Sequence, residues 1–149
     1  MTDEKDSSTP PVTSTSIVVL TLARRIESEL NTTLAPLDLT VSKLGLLGHI
    51  SGLPGVSFSE LARMSGTTVQ SVHAAVKALA AAGLVRDNTA RPGSASTIAV
   101  TPEGAQLLDA ARAAVAQVDD RMFGPDADPI QRQVGAAVRA AFEGESAAN

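Results

Sequence analysis

Cysteine, tryptophan and tyrosine are absent from this 149-residue chain, and phenylalanine occurs only at positions 58, 123 and 142. The lack of cysteine excludes disulfides, thiolate metal sites and thiol redox sensing together. With so few aromatics, a core must be assembled from Leu, Val, Ile and Ala. Long hydrophobic runs are missing as well: no stretch approaches the roughly 20 apolar residues of a membrane span. The N-terminal sequence MTDEKDSSTPPVTSTS holds acidic residues and no apolar segment, so it does not read as a secretory signal. The expectation is a soluble, cytoplasmic protein without a membrane partner.

Catalytic and metal chemistry lack the residues they need. His49 and His73 are the two histidines, and without cysteine they do not make a zinc site, so no metal is expected. The chain has no G-x-S-x-G and no phosphate-cradling glycine loop after a strand, so neither an enzyme nor a cofactor is implied. Asp119-Asp120 reads as a solvated helix face.

Net charge is −4, which by itself argues against a nucleic-acid partner. Its distribution argues the other way. Residues 57–101 carry Arg63, Lys77, Arg86 and Arg91 against Glu60 and Asp87, a net of +2, while eight basic and fourteen acidic residues elsewhere leave −6.

The same block has the clearest local pattern. Ser57-x-x-Glu60 fits a capping box that opens a short helix with Phe58, Leu61 and Met64 inward. Gly66 makes a turn. Thr67-x-x-Gln70 fits a second capping box, and Val69, Val72, Val76 and Leu79 form the buried stripe of a second helix, ended by Gly83. Leu84-Val85 and Ile98–Val100 read as two strands around the turn residues 91–94. This order is a helix-turn-helix followed by a β-wing, which lays its second helix in a DNA groove.

Flanking segments complete the reading. Residues 1–16 are polar and read as a disordered tail. Val19, Leu22, Ile26, Leu30 and Leu34 give an amphipathic helix from Ile17 to near Pro36. Thr40 caps a helix with Val41, Leu44, Leu47 and Ile50 on one face. Thr101-Pro102-Glu103 starts a helix running to about 122 that buries Leu107, Leu108, Ala111, Val115, Val118 and Met122. A last helix, about 128–143, presents Ile130, Val134, Val138 and Phe142. The winged block cannot cover all these stripes, so a homodimer held by the terminal helices is expected.

Candidate DNA-binding residues follow from position. Thr67, Thr68, Gln70, Ser71 and His73 occupy the first turns of the second helix of the motif, nearest the base edges. Gln suits a bidentate contact to adenine, and Ser and Thr suit mixed contacts. The alternative for Thr67 and Gln70 is capping alone, and for His73 simple solvation. Lys77 and Arg86 suit phosphates, which position without reading sequence. Arg91 at the loop tip suits a narrow minor groove, and Ser94 a phosphate. For each charged residue the alternative is a solvated surface charge.

The phrases FSELARMSGTTVQSVHAAVKALAAAGLV and IAVTPEGAQLL, in this order of helices, resemble the MarR family of bacterial transcription regulators over about residues 17–143. The resemblance implies a mainly α fold with a small β-wing: a winged helix-turn-helix over 40–101 within a single domain of 17–145. Dimerisation helices would lie at 17–35 and 102–143. It implies a homodimeric, ligand-responsive repressor on an inverted-repeat operator of double-stranded DNA. It makes residues 67–82 the recognition helix and Arg91 the wing-tip arginine, although Thr89 and Ala90 stand where the family commonly has an acidic residue before that arginine. It also implies an effector crevice where the first, second and fifth helices meet the winged domain. There Arg24, Arg25, Lys43 or His49 would anchor an anionic or phenolic ligand; the plainer reading is surface charges and a packed histidine. The acidic balance and the arginine-free recognition helix keep a rival open, a winged-helix protein-interaction module without DNA binding.

Overall fold

The computed structural model describes residues 14–88 and 97–146. The expected tail falls largely outside them, as do the turn at 91–94 and with it Arg91 and Ser94. Helix α1 (Thr15–Leu34) starts two residues before the expected Ile17, because the Ser14 hydroxyl accepts the Ile17 N–H and caps it. A 3₁₀ turn (Ala35–Leu37) leads into α2 (Val41–Gly52), capped by Thr40 as its sequence position suggests. The Asn31 side chain of α1 accepts the Val41 N–H at 2.9 Å, so the end of one helix holds the start of the next.

Helices α3 (Phe58–Ser65) and α4 (Val69–Ala81) form the helix-turn-helix, and β1 (Val85–Asp87) pairs antiparallel with β2 (Ile98–Val100). The register sets Val85 opposite Val100 and Asp87 opposite Ile98. The first strand therefore begins at Val85, not Leu84, which is half-buried in the bend after α4. Helices α5 (Pro102–Phe123) and α6 (Pro129–Ser146) complete the chain.

One apolar core joins α2, α3, α4, both strands and α5 through Leu47, Ile50, Leu61, Val72, Val76 and Ile98. A smaller cluster of Leu34, Leu39 and Ala111 ties α1 and the following turn to α5. The pairing of Thr101 with Gly104 just after β2 has a clear physical reason. Thr101 Oγ1 donates to the Gly83 carbonyl at 2.6 Å and accepts the Gly104 N–H at 3.1 Å. A methyl group at Gly104 would run into the Leu84 carbonyl oxygen, so only glycine lets α5 begin this close to the end of α4. The helix-turn-helix and the long helix α5 are thus locked together at one corner.

The terminal stripes behave differently from the central ones. On α5, Leu108, Ala111, Val118 and Met122 are buried and Leu107 and Val115 half-buried, as their spacing predicts. On α1 only Leu34 is buried, while Ile17 and Val19 are 59% and 58% exposed. On α6, Ile130, Val138 and Phe142 are at least half exposed. Among the described residues no surface covers them.

Candidate nucleic-acid interface

The turn between α3 and α4 is built by local chemistry. The capping box at the start of α3 is complete: Glu60 N–H donates to Ser57 Oγ at 3.1 Å and Ser57 N–H to Glu60 Oε2 at 3.2 Å. Gly66 closes α3 in the left-handed region, φ 61°, and the Thr67 N–H donates back to the Ala62 carbonyl at 3.0 Å. Thr67 therefore belongs to the end of α3. The second capping box expected at Thr67-x-x-Gln70 does not form; Thr68 is the cap, accepting the Ser71 N–H at 3.1 Å. The shift by one residue follows from the α3 closure, which uses up the Thr67 backbone.

This correction sorts the candidate residues. Thr68 and Ser71 share a hydroxyl–hydroxyl hydrogen bond of 2.9 Å at the tip of α4. Gln70 is exposed and its side-chain amide has no hydrogen-bond partner among the described residues. Thr67, Ser71, His73 and Lys77 are exposed as well, while Val72, Val76 and Leu79 on the opposite face are buried. Val69 and Met64, expected inward, are 40% and 36% exposed, because each sits in the terminal turn beside the protruding corner. His73 also packs within the protein: its ring stacks on Phe58, centroids 3.8 Å apart and 18° from parallel, which clips α4 to α3. Arg86 is exposed on β1, and neither it nor Lys77 has an ion-pair partner among the described residues.

The expected effector anchors do not converge. Arg24 is exposed on α1, and Arg25 reaches Gln131 Oε1 of α6 at 3.5 Å. Lys43 and His49 instead face the helix-turn-helix. They line a cleft of about 350 Å³ between α2 and α4, together with Ser65, Thr67 and Ser71. A separate crevice of about 380 Å³ lies between α2 and α5, beside Leu44, Gly48, Leu108 and Arg112. The α2–α4 cleft was legible in part: Ser42, Gly45, Leu46 and His49 share one helical face at spacings of three and four. Its opposite wall, from α3 and α4, depends on how the helices cross.

Comparison with known proteins places this architecture. A family model described as the MarR family matches residues 37–91. The HTH-type transcriptional repressor Rv2887 of Mycobacterium tuberculosis is 33% identical over 113 residues, 72% of this chain and 78% of that protein. This chain belongs to the MarR family. The family is one of transcriptional regulators rather than enzymes, and the winged helix-turn-helix described above is its fold. The crystal structure of Rv2887 in complex with DNA superposes with a TM-score of 0.70 at 25% identity, over 86% of this chain and 97% of that one. Its complex with salicylic acid superposes at 0.66 and 26% identity, over 86% and 96%. No helix among the described residues of this MarR-family chain is long and apolar enough to cross a membrane.

Proposed function

We propose that this MarR-family chain is a ligand-responsive repressor that binds an inverted-repeat operator as a homodimer. One observation carries the reading: the N-terminal turns of α4 present Gln70 and Ser71 to solvent, beside exposed Thr67 in the turn before it, while the other face is anchored by buried Val72, Val76 and Leu79. A rigid helix with an exposed polar edge is what major-groove reading requires. The existence of a DNA complex of the relative Rv2887 supports the same reading. The exposed apolar residues of α1 and α6 supply the surface for a second copy. Two recognition helices would then meet successive major grooves about 10 bp apart.

Phosphate anchoring falls to Lys77 and Arg86, with Arg91 assigned to the minor groove from its place in the sequence. The net +2 of residues 57–101 doubles across a two-fold face, which offsets the acidic remainder locally. Fluorescence anisotropy with DNA from upstream of the gene tests the proposal. The expected result is a specific complex that weakens steeply with salt and is lost in Arg91→Ala. Failure to form any specific complex at low salt would overturn it in favour of a protein-interaction module.

A further inference from the structure

We infer that Lys43 of α2 holds a backbone phosphate of DNA, so that the nucleic-acid surface of this chain extends beyond the helix-turn-helix onto α2. The inference rests on the DNA-binding reading proposed above and adds a contact to it. The first reason is where carboxylates are missing. The chain has sixteen acidic residues, yet only Glu60 lies between Asp38 and Asp87. Residues 39–86 set Lys43, Arg63, Lys77 and Arg86 against it, a net of +3, while eight basic and fifteen acidic residues elsewhere leave −7. Glu60 is occupied as well, since its carboxylate accepts both the Ser57 N–H and the Ser57 hydroxyl at 3.2 Å. Helices α1, α5 and α6 all carry carboxylates, whereas α2 and α4 carry none. The positive segment therefore takes in α2 and does not begin at the helix-turn-helix. A segment kept clear of carboxylates suits a polyanionic partner.

The second reason is an asymmetry of α4. At about 100° per residue, Gln70 and Lys77 fall on nearly one line, two turns apart. His73 lies to one side of that line, against Phe58 of α3. Ser71 and Ala75 lie to the other side, and with Thr67 they form one wall of the cleft shared with α2. A helix about 10–12 Å across fills a major groove about 12 Å wide, so a wall of phosphates runs along each flank. On the flank facing α2, the recognition helix offers hydroxyls and a methyl group but no cation. Lys43 supplies one from the opposite wall of the same cleft.

The lysine is well placed for this task. Its backbone is held in the first turn of α2: the Lys43 N–H donates to Thr40 Oγ1 at 3.2 Å, and the Val41 N–H to Asn31 Oδ1 at 2.9 Å. Its side chain is exposed and has no hydrogen-bond or ion-pair partner among the described residues. An ammonium so placed meets a phosphate as a point charge. Such a contact fixes the register of α4 in the groove without reading sequence.

The test is fluorescence anisotropy of the full-length protein over a salt series, on DNA from upstream of its gene and on scrambled DNA of equal length. For Lys43→Gln the expected result is weaker binding to both DNAs, with the ratio between them unchanged. The slope of log K against log salt should fall by roughly 0.9 for each protomer's lost contact. Lys43→Arg should keep the parent's slope, because it keeps the charge. Arg112→Gln makes the same change of charge on α5, where the side chain is exposed and pairs with Asp109, and should also keep the slope. Thermal melting of Lys43→Gln should match that of the parent, since the ammonium holds nothing among the described residues. An unchanged slope in Lys43→Gln, an equal fall in Arg112→Gln, a loss confined to the upstream DNA, or a lowered melting temperature would each overturn the contact. A parent that binds neither DNA at low salt would instead defeat the regulator reading, and this inference with it.

Discussion

Thr68 and Gln70 show how finely function is divided at the scale of residues. Thr68 holds the α4 N-terminus, and the side chain of Gln70, two positions on, holds nothing among the described residues. Thr68→Ala is expected to lower stability by about 1 kcal/mol, read by denaturant unfolding, as the loss of a helix cap does. Gln70→Ala should leave unfolding unchanged yet lose about 1–3 kcal/mol of discrimination at one operator position, measured by anisotropy against single-base variants. If Gln70→Ala destabilised the protein while Thr68→Ala did not, the cap assignment would be wrong. Gly104 gives the sharpest stability expectation at this scale. Gly104→Ala forces a methyl against the Leu84 carbonyl, and overpacking of that kind costs roughly 1–3 kcal/mol. A thermal melt of Gly104→Ala matching the parent would contradict the close approach.

Elements reveal where local pattern suffices and where it does not. The caps at Thr40, Ser57 and Thr101 were legible because capping is decided by three or four consecutive residues. Thr67 misleads because two threonines follow Gly66, and the choice between them depends on how α3 ends. The Thr67 N–H completes that ending, so the next threonine opens α4. For α4 as a whole, the reading predicts a helix that positions itself through Lys77 and reads through its first turns. Lys77→Ala should weaken binding about equally for all sequences and reduce the slope of log K against log salt by roughly 0.9. A loss confined to one base pair would instead make Lys77 a reading residue. The Phe58–His73 stack adds a rigidity that spacing did not announce, since the two rings belong to different helices.

At the scale of the molecule, the central question is what covers α1 and α6. Their apolar stripes repeat at helical spacing as clearly as those of α5, yet among the described residues Ile17 and Val19 of α1 and Ile130, Val138 and Phe142 of α6 stay exposed. The homodimer proposed above predicts a sedimenting dimer at micromolar concentration. Phe142→Glu, placed on a residue 66% exposed, should shift that equilibrium toward monomer and weaken operator binding, with little change in helix content by circular dichroism. Sedimentation of the parent as a monomer, or dimers unaffected by charges on both α1 and α6, would refute the terminal-helix interface.

The sequence by itself determined the helix order, most of the caps, the wing strands to within two residues and the face of α4 turned away from the core. These depend on interactions within a few residues, or on a period that any buried face must show. Tertiary structure alone decided what lies across from each helix. The period of α2 puts Ser42, Gly45 and His49 on one face but does not say whether α5 or α4 stands opposite. The crossing of the helices turned Lys43 and His49 toward the recognition helix and left Arg24 on α1 apart from them. It also brought Leu84 over Gly104, so a glycine that looks ordinary in the sequence became the joint between the DNA-reading unit and α5. Contacts between distant segments depend on packing of whole surfaces, and no local spacing encodes them.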